Sequence, residues 1–344
     1  MPEILATVRE NKARDTQTAL GQFGDCRATQ EWKLYFAHVT PNSIGFVSVA
    51  IIVLAGACTL AAQPSPAGLE RSISQLMAGR SGTVVVLDVA SGKILAEHDG
   101  KLAAQRVAAP GSAIKPFVLM ELLRSAKLEG KNRVFCRRTL TIAGKHMDCT
   151  HSPAVNNLNA SEALAYSCNT YFATVATQFT PAELKQLLER TGFSALTRLA
   201  PDEATGRVAM APDTPHLQLQ ALGEWGIDIT PLELATAYRT LALQRRSENA
   251  DSVAGPVFEG LEGSVQYGMA HAAQVPGFSV AGKTGTSANP SSPQTHGFFA
   301  GYAPSNKPEI VVVVYLEQSR GSDAAAIAGP VFKAYSAGRE RGHK

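Results

Sequence analysis

The sequence predicts an α+β protein, with a five-stranded antiparallel sheet flanked by helices and a helical lobe beside it. Three observations carry this. A hairpin pattern opens the folded part, three strand-like runs fill the last third, and residues at helical spacing occupy the middle. The 344 residues can bury a large core, and 45% hydrophobic with 18% charged residues is the composition of a folded chain. A net charge of +3, with no basic cluster beyond pairs or triples such as Arg245-Arg246, leaves no nucleic-acid footprint.

In chain order, residues 1–43 are polar and of mixed charge. Ile44 to Ala62 then carries no charge at all, and as a helix it would be about 28 Å long, close to a bilayer core. A membrane anchor or export signal is expected there, with the folded part outside the cytoplasm. "LAGAC", ending at Cys58, loosely resembles a lipoprotein cleavage site. Residues 63–80, opening with "QPSPAG", read as a linker. Thr83 to Val89 and Lys93 to Glu97 flank Ala90-Ser91-Gly92 as a hairpin. After Pro110-Gly111, apolar residues recur at helical spacing through Val118, Leu119, Leu122 and Leu123, so Ser112 opens a helix. Further helices are expected over Ala160 to Phe179 with a break at "SCN", Pro181 to Thr191, and Thr230 to Leu243. Strands follow at Phe278 to Thr286, Gly297 to Tyr302 and Glu309 to Glu317, and a helix from Ala324 to Gly338 closes the fold. Residues 339–344 form a tail.

Three cysteines fall in the folded part. Cys136 and Cys149 close a short loop, and a disulfide between them is the first expectation, contributing on the order of 3 kcal/mol in an oxidising compartment. Free thiols are the second. A zinc site of two cysteines with His146 and His151 is the third, although the spacing fits no zinc pattern. Cys168 reads as a packed small apolar residue.

"SAIK" (Ser112 to Lys115), "SCN" (Ser167 to Asn169) and "KTGT" (Lys283 to Thr286) resemble the three motifs of penicillin-binding transpeptidases and serine β-lactamases. A lone S-x-x-K is a weak signal; the ordered trio is specific. "TVVVLDVASGKILA", "APGSAIKPF", "SCNTYF", "ITPLELATAYRTLA" and "HGFFAGYAP" resemble penicillin-binding protein segments in their usual order. The resemblance covers residues 81–338 and implies the β-lactamase/transpeptidase-like version of the predicted fold.

Elementary chemistry supports the residue types. Acyl transfer needs a nucleophile, a nearby base and donors for the oxyanion. Ser112 and Lys115, three residues apart, share a helical face, and burial beside a second cation such as Lys283 would lower the lysine pKa. Taken alone, Ser112 reads as an ordinary N-cap, Lys115 as an exposed helical lysine, Ser167 and Asn169 as caps, and the Lys283 strand as a soluble surface. The ordered trio outweighs these readings. The resemblance implies that Ser167 bridges Lys115 and Lys283 and passes a proton to the leaving amine, and that Asn169 bonds a substrate amide. It further implies that Lys283, Thr284 and Thr286 hold the terminal carboxylate while Gly285 lets the substrate backbone approach. The backbone amides of Ser112 and Thr286 would form the oxyanion hole.

The expected activity is therefore a serine D,D-transpeptidase, or D,D-carboxypeptidase, that is acylated by D-Ala-D-Ala stem peptides and by β-lactams. A serine β-lactamase and a non-turnover β-lactam sensor are the alternatives. No metal or organic cofactor is implied. The resemblance also makes a partner glycosyltransferase an expectation. Glu203 in "PDEATGR" stands near where a water-activating glutamate occurs in class A β-lactamases, but Arg207 replaces the asparagine four residues on. Glu203 reads as a loop acid. "GEWGIDITPLELA" is expected to pack the helical lobe behind the site, and Phe298-Phe299 to compensate for an aromatic residue absent at Gly297.

Overall fold

The computed structural model describes residues 66–247, 252–288 and 294–341. The first element corrects the sequence expectation of a linker over 63–80, because Pro66–Met77 is a helix, α1. Leu69, Ile73 and Met77 recur at helical spacing and are buried; the Pro, Ser and Gly residues that precede them hide this stripe. The expected membrane segment, 44–62, lies outside the described residues. Among those described, no helix is long and apolar enough to cross a membrane.

The expected hairpin forms as β1 (Gly82–Asp88) and β2 (Ile94–His98), followed by α2 (Gly100–Gln105). Ser112 lies in a 3-10 turn, Gly111–Ile114, and the α-helix proper, α3 (Lys115–Arg124), begins three residues later than the sequence suggested. Pro116 is accommodated because first-turn amides have no intrahelical acceptor. The helical lobe adds α4 (Ala160–Ala165), α5 (Asn169–Ala176) and α6 (Pro181–Arg190). It continues with α7 (Thr214–Ala221), α8 (Pro231–Ser247) and α9 (Gly255–Gln266). α7 and α9 were not foreseen. In α9, glycines at 255, 260 and 263 lower the intrinsic helix propensity, and burial of Val257, Phe258, Leu261 and Val265 outweighs it.

The last third supplies β3 (Ala281–Ala288), β4 (Thr295–Ala303), β5 (Ile310–Leu316) and α10 (Gly321–Arg341). The sheet has the order β2-β1-β5-β4-β3 and is antiparallel throughout, as expected from sequence. Strand β5 is central, and its unbroken apolar run is explained by burial on both faces. Val311, Val313 and Tyr315 enter one core with α3, α5 and α8, while Ile310, Val312, Val314 and Leu316 enter a second core with α1 and α10. Phe298 and Phe299 fall into these two cores in turn and are fully buried. They therefore do not line the cleft beside Gly297, contrary to expectation. β3 is left at the sheet edge, with β4 as its single strand neighbour among the described residues.

Candidate active site

The site begins where the 3-10 turn meets the edge strand. Gly111 adopts φ 53°, and a Cβ there would lie 2.4 Å from the Thr286 carbonyl oxygen and 2.9 Å from its amide nitrogen. A Cβ at Gly285 would lie 2.2 Å from the Pro110 carbonyl oxygen. Only glycine permits this approach, and it brings the backbones of residues 111–112 and 286 together, as an oxyanion pocket between them requires. Tyr238 of α8 fixes the turn from behind by donating its hydroxyl proton to the Ala113 carbonyl at 2.9 Å. Side chains three apart in a 3-10 turn eclipse one another, so Ser112 and Lys115 project to the same side.

Lys115 is fully buried. Its Nζ donates to Asn169 Oδ1 at 2.6 Å, to the Ser167 carbonyl at 2.9 Å and to Ser167 Oγ at 3.4 Å. Lys283, equally buried, reaches the same hydroxyl from β3 at 2.8 Å. Ser167 Oγ thus stands between two ammonium groups. Burial brings the Lys115 pKa down to about 8. Lys283 is pushed well below the usual lysine value, by burial first and then by the charge of Lys115. Such a pair favours one neutral amine, the form that can accept a proton.

The second motif is placed by a break between two helices. Asn159 and Glu162 cap α4 reciprocally, Cys168 caps α5 by accepting from the Tyr171 amide, and Ser167 takes φ 55° between them. Neither Ser167 nor Asn169 is itself the cap of α5. Their side chains are therefore available to the cleft. On β3, strand alternation puts Thr284 and Thr286 on one face and Lys283 and Gly285 on the other. Thr286 is exposed and accepts from the Gly321 amide at 3.0 Å; Thr284 is buried.

Other acids sort by their contacts. The Glu203 carboxylate accepts from the amides of Thr197, Arg198, Leu199 and Ala200 and from the Thr197 hydroxyl, which makes it an organiser of its own loop. Glu224 is a residue that sequence reasoning missed. Burial pushes its carboxyl up to about 7, against the pull of Lys145, the Ala288 amide and Lys115. It belongs to the electrostatic surroundings of Lys115 and not merely to packing behind the site. Local sequence carried no sign of this, because its partners come from three distant segments.

The expected Cys136–Cys149 disulfide is not formed: Cys136, Cys149 and Cys168 are all free and buried. Cys149 lies 3.8 Å, sulfur to sulfur, from Cys168 instead. The hydrogen bond between them holds the Cys149 thiol well below its ordinary pKa and pushes Cys168 up. His151 joins the three sulfurs, and His146 is exposed and outside the cluster.

The model of the penicillin-binding protein transpeptidase domain matches residues 82–337. The chain belongs to this family. Among curated relatives, the peptidoglycan D,D-transpeptidase MrdA of Acinetobacter baumannii is 26% identical over 77% of this chain and 52% of its own length. The probable peptidoglycan D,D-transpeptidase PenA of Neisseria flavescens is 25% identical over 75% of each chain. The chain thus spans about half the length of the first of these relatives. Among solved structures, the D,D-transpeptidase domain of a peptidoglycan glycosyltransferase from Eggerthella lenta aligns with a TM-score of 0.67 at 23% identity, over 78% of this chain and 80% of that one. Pseudomonas aeruginosa PBP2 aligns with a TM-score of 0.66 at 21% identity, over 78% and 76%. These likenesses support the fold; the penicillin-binding family assignment rests on the domain match.

Proposed function

We propose that this penicillin-binding family member is a serine D,D-transpeptidase of peptidoglycan synthesis, acylated at Ser112 by D-Ala-D-Ala stem peptides and by β-lactams. The observation that carries the reading is the double hydrogen bonding of Ser167 Oγ by two fully buried lysines, Lys115 and Lys283, beside the turn that presents Ser112. In this reading neutral Lys115 takes the Ser112 proton as Oγ attacks the carbonyl of the penultimate residue. The amides of Ser112 and Thr286 receive the developing oxyanion. Ser167, recharged through Lys115 and Lys283, gives a proton to the departing amine, which is D-Ala or the β-lactam ring nitrogen. Thr284 and Thr286, on one face of β3, hold the substrate carboxylate, and Lys283, bonded to Ser167 from the other face, adds its positive charge. Asn169 takes a substrate amide, and the edge strand β3 pairs with the substrate backbone. An acceptor amine from a second stem peptide then attacks the ester and releases Ser112.

Residues 44–62 serve in this reading as a membrane anchor or export signal that puts the domain outside the cytoplasm, where peptidoglycan is built. A partner glycosyltransferase would supply the glycan strands. The test is labelling with a fluorescent penicillin followed by peptide mapping, together with turnover of a D-Ala-D-Ala donor in the presence of an amine acceptor. Label on Ser112 and an acceptor-linked product support the proposal. Labelling undiminished in Ser112→Ala, or hydrolysed donor without any acceptor product, counts against it.

A further inference from the structure

One buried cluster supplies no reacting group to the acyl-transfer steps. Cys136, Cys149, His151 and Cys168 are all buried, and their four donor atoms lie within 4.8 Å of one another. They come from the end of the short strand Val134–Phe135, from the loop at 149–151, and from the middle of the second motif. Apolar packing explains small buried thiols, but it does not explain an imidazole placed among them.

Two separations discriminate between the ways sulfurs can be joined. Cys149 Sγ and Cys168 Sγ are 3.8 Å apart, and Cys136 Sγ and His151 Nε2 are 3.4 Å apart. A disulfide holds its sulfurs at about 2.05 Å. Ligands at a tetrahedral angle around zinc, with bonds of about 2.3 Å to sulfur and about 2.0 Å to nitrogen, stand about 3.8 Å (S to S) and about 3.5 Å (S to N) apart. These two separations match two edges of such a tetrahedron, and all four donor atoms lie within 4.8 Å of one another.

The surroundings match the donors. His151 Nδ1 lies 3.2 Å from the Ser152 carbonyl, which can only accept, so the proton belongs on Nδ1 and the Nε2 lone pair faces the sulfurs. The Tyr171 amide donates to Cys168 Sγ at 3.4 Å, and the Thr170 hydroxyl lies 3.6 Å from Cys136 Sγ and 3.7 Å from Cys149 Sγ. Arg138 holds the loop by donating to the carbonyls of Cys149 and His151. His151 and Cys168 are thus oriented before any ion arrives, and the Thr170 hydroxyl bridges the other two sulfurs.

We propose that Cys136, Cys149, His151 and Cys168 form a closed tetrahedral zinc site, which pins the second motif to the 136–151 loop. Three thiolates and one imidazole suit zinc, and with four protein ligands there is no open position for water. The ion therefore has a structural role, and its ligands are positioning residues. Binding displaces the thiol protons to solvent, and nothing is oxidised or reduced. Cys168 lies between Ser167 and Asn169, and Asn169 Nδ2 donates to the carbonyl of Met147, inside the same loop, at 3.1 Å. Fixing Cys168 fixes the left-handed backbone at Ser167 and, through both neighbours, the hydrogen bonds of Lys115. This last consequence rests on the acyl-transfer reading; the metal site itself does not.

The test uses the full chain, purified without chelator. Elemental analysis is expected to find about one zinc per chain, and Cys136→Ser, His151→Ala and Cys168→Ser to lower the zinc affinity at least tenfold, with His146→Ala unchanged. Replacement by cobalt is expected to give thiolate-to-cobalt charge transfer in the near ultraviolet and the visible bands of a tetrahedral ion. These signals do not use penicillin, so zinc binding without acylation would sink the proposed function and leave the site standing. Chelation is expected to lower the Tm and slow penicillin labelling, both restored by added zinc. A reduced, folded protein that labels with penicillin yet holds no zinc after incubation with it overturns the inference. So does mass spectrometry showing Cys149 bonded to Cys168, or to Cys136, in protein taken directly from cells.

Discussion

Replacing Lys115 by arginine keeps a cation at the site and removes its ability to deprotonate, because a guanidinium stays charged at any accessible pH. In the wild type the Lys115 pKa is brought down to about 8 by burial, with Cys168, Cys149 and Glu224 opposing that shift. The neutral fraction is then about a tenth at pH 7, a half at pH 8 and nine-tenths at pH 9. A rate limited by proton removal from Ser112 should rise about tenfold between pH 7 and pH 9 and level off above it. Lys283 shares Ser167 Oγ with Lys115, so the midpoint belongs to the coupled pair and not to one amine. Lys115→Arg should lower acylation by about 100- to 10,000-fold at pH 8, the ordinary worth of a general base, and abolish the rise. The assay is the second-order rate of labelling by a fluorescent penicillin at constant ionic strength from pH 6 to 9.5, with thermal melts to show that each variant is folded. A wild-type rate that is flat or falls with pH would refute the assignment of Lys115 as the base. An arginine variant within tenfold of wild type would do the same.

Gly285→Ala should abolish acylation in an otherwise folded protein, because the new Cβ would stand 2.2 Å from the Pro110 carbonyl and force the strand off the turn that carries Ser112; labelling and a far-ultraviolet spectrum check both halves. Tyr238→Phe should cost about 1–3 kcal/mol in denaturant unfolding, since it strips the buried Ala113 carbonyl of its partner. Deleting residues through Met77 should lower the Tm by exposing the second core where Leu69, Ile73 and Met77 now cover it, and an unchanged melt would show that α1 is not part of the domain. The penicilloyl adduct should persist for hours by intact mass, because the Glu203 carboxylate is taken up by its own loop. If the adduct instead decays within seconds and Glu224→Gln stops the decay, the β-lactamase reading takes precedence.

The sequence by itself determined the hairpin, the three late strands and the trio of motifs, and so the sheet and the three segments of the site. Each of these depends on spacing within a few residues: alternation in a strand, the three-residue step from Ser112 to Lys115, the helix break at Ser167. It also allowed wrong readings where a local signal was ambiguous. A Pro- and Ser-rich opening concealed α1, glycines concealed α9, and two cysteines in one loop suggested a bond with each other. Tertiary structure alone decided the rest. It placed Cys168 from the second motif beside Cys149, brought His151 to Cys136 and set the half-buried Glu224 within reach of Lys115 and Lys145. The physical reason is the range of the interactions. A pKa or a donor cluster depends on which distant segments share a buried volume, and that is fixed by packing the two cores on the faces of the sheet, not by the order of residues along the chain.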